Sequence, residues 1–227
     1  MGKILNLETS TTVCSVAVSI DGEVKSVHEI NEGYSHAEQL EILIQKALQD
    51  SEVKMSELDA VSVSKGPGSY TGLRIGVSLA KGICFGAQIP LISVPTLEAI
   101  SLNPRVRKQD VGLRIPMLDA RRMEVYASVL DTQNEWVEKT RAIVIDEGSF
   151  TDHLNQKCFF FGPGMDKCRE VLSVHENAHF VKDVLPSAAF MAKISEHRLQ
   201  YSCFEDVAYF EPFYLKDFVA GKPKKLL

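Results

Sequence analysis

Two hydrophobic patterns alternate along the first half of the chain, and together they predict an α/β fold. Residues 13–20 show the two-residue period of a strand, and Asp21-Gly22 after them is typical of a type I′ hairpin turn. Apolar residues then recur at i, i+3, i+4 and i+7 over residues 35–49, which predicts a helix opened by a Ser35-x-x-Glu38 capping box. The strands predicted in this half are 4–8, 13–20, 23–30, 60–64 and 89–94, and the helices are 35–49, 69–85 and 97–102.

The order of elements partly repeats after a polar, charged linker at residues 103–110. In both halves a strand runs into Gly-Pro-Gly and then into a helix, at Gly66-Pro67-Gly68 and at Gly162-Pro163-Gly164. We therefore predict two duplicated α/β domains, residues 1–105 and 106–227, with the terminal segment packing back on the first domain. The strands predicted in the second half are 114–118, 125–130, 136–145, 158–161 and 178–181, and the helices are 148–154, one ending at 172, and 187–200.

The glycine-rich stretch at residues 65–76 joins a strand to the helix at 69–85, with Ser69 placed to cap that helix. Free backbone N–H groups at such a helix start attract anions. However, no Gly-Lys-Ser/Thr follows the turn, so it is not a Walker loop. A nucleotide-binding turn and a bare structural turn are equally good interpretations.

Apolar side chains surround more of the helix at 69–85 than one buried face requires, and Gly72, Gly76 and Ala80 leave one ridge almost without side chains. This helix is therefore either sandwiched inside the fold or meets a partner with its outer side. Some apolar residues of the two long helices must face the sheet, and the sequence leaves open which ones. The candidate partner-binding residues are Leu40, Leu43, Ile44, Ala47, Gly72, Leu73, Gly76, Val77 and Ala80.

Composition narrows the functional classes. The chain has 227 residues, of which 45% are hydrophobic, with a net charge of −5 and a pI of about 5.7. This charge argues against a protein that holds nucleic acid by itself, although a local basic patch is compatible with it. The five cysteines are scattered and form no CxxC pair, which indicates reduced thiols. No signal peptide or membrane-length apolar run is present, so we expect a cytoplasmic protein.

The sequence offers no catalytic constellation, no metal-ligand set and no cofactor motif. The six histidines lack ligand spacing, and neither Ser10 nor Ser69 lies in a Gly-x-Ser-x-Gly elbow. His36 is interpreted as a surface residue of the first helical turn. Asp119 lies beside Arg121 and Arg122, which favours a local ion pair over contact with an anionic partner.

Four passages together resemble the TsaB (YeaZ) family of the bacterial threonylcarbamoyladenosine system: residues 6–10, 66–76, 119–126 and 211–215. The resemblance implies an actin-like, ASKHA-type fold of two duplicated domains, each a mixed sheet flanked by helices. It also implies a non-catalytic subunit that supports a TsaD-type transferase in modifying the adenosine beside the tRNA anticodon. The expected partners are that transferase, a TsaE-type ATPase and a second copy of the chain as a homodimer, with tRNA reached only through the complex.

The resemblance to TsaD proteins can be tested at their metal site. In those proteins a His-x-x-x-His pair, which follows the strand equivalent to residues 89–94, binds a metal. This chain has Thr96 and Ile100 at those positions, which predicts no bound metal. Two enzyme hypotheses compete with the scaffold. One is a metal-dependent TsaD-like transferase or glycoprotease-type hydrolase, and the other is a small-molecule kinase with Glu8 as a candidate carboxylate.

Overall fold

The structure is a computed structural model that describes residues 2–31, 36–109 and 111–216. Its first half forms a five-stranded sheet of order β3-β2-β1-β4-β5, with β1, β2 and β3 antiparallel and β4 and β5 parallel to β1. The elements are β1 (Lys3–Glu8), β2 (Cys14–Ile20), β3 (Glu23–Ile30), α1 (His36–Asp50), β4 (Ala60–Gly66), α2 (Tyr70–Ala87), β5 (Leu91–Pro95), α3 (Thr96–Ile100) and α4 (Pro104–Arg107).

The second half repeats this topology strand for strand. Its sheet has the order β10-β9-β6-β7-β8, again with an antiparallel trio followed by two parallel strands. The repeated order confirms the prediction of a duplicated α/β fold. The elements are β6 (Leu113–Asp119), β7 (Glu124–Leu130), β8 (Trp136–Val144), β9 (Cys158–Phe161), α5 (Met165–Leu172), β10 (Ala178–Val181) and α6 (Ala192–Gln200).

Local sequence signals explain several element boundaries. Asp21 and Gly22 have φ of 53° and 75°, as a type I′ turn requires. Ser69 is the N-cap of α2, and its hydroxyl oxygen accepts a hydrogen bond from Gly72 N at 3.3 Å. The predicted cap of α1, Ser35, lies outside the described residues.

Helices α1 and α2 cover one face of the first sheet, and a segment from the end of the chain covers the other. A short 3₁₀ helix (Ala188–Met191) and α6 pack there against residues such as Ile4 and Ile92. Residues 203–216 then run back along the first half, where Glu205 N donates to Leu91 O at 2.9 Å and Phe213 N donates to Lys65 O at 2.7 Å. The division at residues 105 and 106 remains a prediction.

Two segments differ from their predicted structures. The predicted helix at 148–154 consists of turns, because Asp146 and Ser149 bond to each other and offer the backbone an alternative to a helix. The predicted linker at 103–110 contains α4, which Asn103 caps by accepting from Arg105 N at 2.9 Å. No helix in the described residues is long and apolar enough to cross a membrane.

Candidate partner-binding site

The glycine ridge of α2 faces the loop that follows β1. A Cβ atom added at Gly72 would lie 2.1 Å from Thr9 O, and one at Gly76 would lie 2.3 Å from Thr9 Oγ1. A Cβ atom at Gly68 would lie 2.3 Å from Ser10 O. The three glycines therefore let the start of α2 pack directly on the first loop, and this ridge is internal.

This geometry corrects the predicted contact surface. All nine candidate residues are buried inside the chain, and most belong to the core beneath α1 and α2. The reason is the helical period, since residues at this spacing form the face of each helix that packs on the sheet. The nine residues are Leu40, Leu43, Ile44, Ala47, Gly72, Leu73, Gly76, Val77 and Ala80. Any partner of these helices would meet their other faces.

The opposite side of α2 carries a second row of small residues, Ser78, Gly82 and Gly86, which we call the outer ridge. Ser78, Gly82 and Gly86 are exposed, and a Cβ atom at either glycine would meet no described atom within 4 Å. Phe85, one turn from Gly82 on the same side, is 75% exposed. A glycine pair in a helix costs stability, so its presence on an open face is not explained by folding.

A groove of about 510 Å³ separates the exposed sides of α1 and α2. Its lining is Ala37, Leu40, Glu41, Arg74, Ile75, Ser78 and Leu79, with only Leu40 among the predicted candidates. Arg74 and Ser78 are polar, exposed and one helical turn apart, and this is the sequence signal that could have located the outer side of α2.

Glu8 at the end of β1 lies in the interior, with no exposed surface. Its Oε1 accepts from Ser10 N at 2.6 Å, whereas Oε2 has no hydrogen-bond partner in the described part of the chain. Burial raises the pKa of this carboxyl, and the nearby polar groups of Ser10 and Ser64 only partly offset that effect. A carboxyl that is closed off in this way is not presented to a surface ligand.

The structure also shows that His36 and three of the cysteines are buried. His36 is buried, which corrects its predicted surface role, because its Nε2 lies 2.7 Å from Thr11 O beneath the start of α2. Cys14, Cys84 and Cys158 are buried thiols whose pKa rises to about 11, chiefly through burial. Thiols with such a high pKa are poor nucleophiles near neutral pH.

The resemblance described above aligns Thr96 and Ile100 with the metal-binding histidine pair of TsaD proteins, and neither residue can replace a histidine ligand. Thr96 and Ile100 both lie on α3 and are fully buried. Within the described residues, no group of three or more His, Cys, Asp and Glu side chains is placed to hold a metal ion.

Asp119 at the end of β6 forms its ion pair with Lys167 of α5 rather than with the neighbouring arginines. Arg121 contributes its backbone N–H, which donates to Asp119 Oδ1 at 2.7 Å. Partial burial opposes ionisation, but these bonds outweigh it and hold the pKa of Asp119 below its usual value. Arg121 and Arg122 are exposed with positive φ, so they lie on the surface of the turn.

The repeated sheets, the glycine turns and the flanking helices define an actin-like α/β protein. Among solved structures, YeaZ from Pseudomonas aeruginosa matches with a TM-score of 0.83 at 24% identity, covering 95% of this chain and 100% of that one. The activator of the 2-hydroxyisocaproyl-CoA dehydratase from Clostridium difficile matches with a TM-score of 0.52 at 9% identity, covering 88% and 97%.

Sequence comparison identifies the family. The chain belongs to the family described as TsaD, tRNA N6-adenosine threonylcarbamoyltransferase, whose model matches residues 31–222. It is also similar to the tRNA threonylcarbamoyladenosine biosynthesis protein TsaB of Escherichia coli, with 28% identity over 97% of both chains. These similarities confirm the resemblance to TsaB and YeaZ proteins.

Proposed function

We propose that the chain is a non-catalytic subunit of a threonylcarbamoyladenosine system, in which it binds and supports a TsaD-type transferase. The observation that carries the proposal is the similarity to E. coli TsaB over nearly the full length of both chains. Thr96 and Ile100 stand where the metal-binding histidine pair of TsaD proteins is expected, and this favours a non-catalytic role over a catalytic one. A cytoplasmic location is part of the same proposal.

The partner surface in this proposal is the outer side of α1 and α2, not the buried side. The outer ridge lets a helix backbone approach closely, while the exposed ring of Phe85 offers apolar contact area beside it. Glu41 and Arg74 place opposite charges in the groove, which would fix the register of an approaching helix. When the transferase is absent, a second copy of the chain would use this surface and form a homodimer. A TsaE-type ATPase would join the complex of this chain with the transferase.

Gly82→Glu tests this surface, because its side chain has open space in the isolated chain but would be trapped in a helix contact. We expect normal circular dichroism, loss of co-purification with the cognate TsaD-type subunit and a shift from dimer to monomer in sedimentation. Gly148→Glu is the matched control, since Gly148 is exposed in the second half and has only Asp146 Oδ1 nearby, at 3.5 Å. If the Gly82→Glu chain still co-purifies with the transferase, the outer ridge is not part of the interface.

Metal analysis tests the non-catalytic part of the proposal. We expect less than stoichiometric zinc or iron after dialysis, because isoleucine cannot ligate a metal and threonine is a poor ligand. One tightly bound metal ion per chain would favour the TsaD-like enzyme instead. Sustained turnover of ATP with magnesium by the purified chain would favour the kinase.

A further inference from the structure

The second half of this acidic chain contains a basic concave surface at its sheet edge. Helix α4 and the two residues after it lie beside the edge strand β10, and together they line a depression of about 690 Å³. We call this the β10 basic surface, and its polar lining consists of Arg105, Lys108, Gln109, His179 and Lys182.

The positive charge of this surface is only partly compensated. Three of its lining residues are cations, and no carboxylate in the described residues lines it. Arg105 pairs with Asp183 at 3.2 Å, but both side chains are mostly exposed, so water weakens that attraction. Lys108 and Lys182 are exposed and have no carboxylate within ion-pair distance among the described residues. In a chain of net charge −5, this concentration of positive charge points to an anionic ligand.

Aromatic rings lie within the same surface. His179 of β10 stacks on Phe159 of β9, with 5.4 Å between ring centroids and an interplanar angle of 29°. Phe159 is buried and lies beside His179 on the neighbouring strand, so the partly exposed ring of His179, on the edge strand, is the outer member of the stack. Flat rings beside cations are the combination that binds unpaired nucleotides.

Protection of the sheet edge does not account for the whole arrangement. Lysines on edge strands prevent strand pairing between chains, and Lys182 at the end of β10 could do so alone. Arg105 and Lys108, however, come from the α4 region rather than from the strand. Two separate elements thus bring cations to one depression.

We propose that the β10 basic surface binds the phosphate backbone of tRNA, with His179 available to stack on an unpaired base. This inference rests on the proposed function, because that function brings a tRNA to the assembled complex. The surface offers only a few phosphate contacts, so binding by the isolated chain is weak and salt-sensitive. The surface therefore adds to the affinity of the complex rather than replacing it.

The test compares two double variants that change the net charge equally. Lys108→Glu/Lys182→Glu reverses the β10 basic surface, and Lys139→Glu/Lys193→Glu reverses two exposed lysines elsewhere. Fluorescence anisotropy with labelled tRNA, on the full chain and on its complex with the TsaD-type subunit, measures affinity at several salt concentrations. We expect the first variant to bind about tenfold or more weakly, and its salt slope to fall by about 1.5, while the control stays near wild type.

Several outcomes separate this inference from its alternatives. Equal weakening by both variants would show a general charge effect, and unchanged affinity in the first variant would exclude the surface; either result overturns the proposal. Competition by poly-glutamate as strong as that by unlabelled tRNA would show a surface for acidic peptides and would also overturn it. If the chain fails to bind the TsaD-type subunit but the first variant alone loses tRNA affinity, the proposed function fails while this inference stands.

Discussion

The two halves of the chain share one sheet order and one type of glycine turn, but they carry different helices. In the first half α2 has 18 residues and lies beside α1, whereas in the second half α5 has eight residues. The counterpart of α1, between β8 and β9, consists of turns in the described structure. Since the short α5 covers its sheet with help only from turn residues such as Phe150 and Leu154, we infer that the fold does not require the extra length of α2 with its outer ridge. This difference is why we place the partner surface in the first half.

The corner after the first strand of each half gives a second contrast. In the first half Gly68 packs against Ser10, and in the second half Gly164 packs against Leu118, so the same close approach occurs twice. The nearby carboxyl groups nevertheless differ, since Glu8 is buried with a raised pKa and Asp119 is exposed and ion-paired with a lowered pKa. Similar backbone geometry thus surrounds two carboxyl groups whose pKa values are shifted in opposite directions.

The largest expected effect separates the inner and outer glycines of α2. Gly72→Ala should destabilise the fold by about 3 kcal/mol, because its methyl group meets the Thr9 backbone, which cannot move aside like a flexible side chain. Gly82→Ala should instead stabilise it by about 0.5–1 kcal/mol, since alanine favours a helix and the site is open. Urea unfolding followed by circular dichroism measures both.

The second half provides a test of the repeated corner. Gly164→Ala should also destabilise the chain, because the added carbon would lie 2.8 Å from the Leu118 carbonyl carbon. If Gly72→Ala and Gly82→Ala had the same effect on the free energy of unfolding, the distinction between the internal and outer ridges would be wrong.

The sequence predicted much of the fold but not the orientation of the helices. Turn chemistry and strand periodicity located the Asp21-Gly22 hairpin and the duplicated order of strands, because both signals are local. The role of Gly76 depends instead on Thr9, which comes from a loop distant in sequence. Likewise, burial of His36 follows from α2 closing over the first loop, and the β10 basic surface forms only when α4 meets the edge strand. Such contacts leave no signal in the periodicity of one element.

A smaller effect concerns the buried carboxyl group. Because the pKa of Glu8 is raised in the folded chain, ionising it opposes folding, and stability should fall as pH rises from 4.5 through the folded-state pKa. The groups that set this shift are the burial itself, Ser10, Ser64 and the charge of Glu29. Glu8→Gln keeps an oxygen acceptor for Ser10 N and should be more stable near neutral pH by about 1–3 kcal/mol. Its stability should lose this pH slope, and urea unfolding between pH 4.5 and neutrality measures the difference.

The smallest effect should appear at Asp119, with the opposite sign. Because the pKa of Asp119 is lowered in the folded chain, its contribution is present above 3.8 and is lost as pH falls through the folded-state value. Asp119→Asn should therefore cost about 0–1 kcal/mol near neutral pH, since the Asp119 side chain is 57% exposed and water weakens its attraction to Lys167. This cost should vanish in acid, where the Asp119 carboxyl is protonated in both the folded and the unfolded chain. A double-mutant cycle with Lys167→Met, measured by urea unfolding at both pH values, isolates the pair. If Lys167→Met costs the same in acid as near neutral pH, and the same in the Asp119→Asn background, then Lys167 stabilises the β6 corner through its bond to Glu124 O rather than through the charge of Asp119.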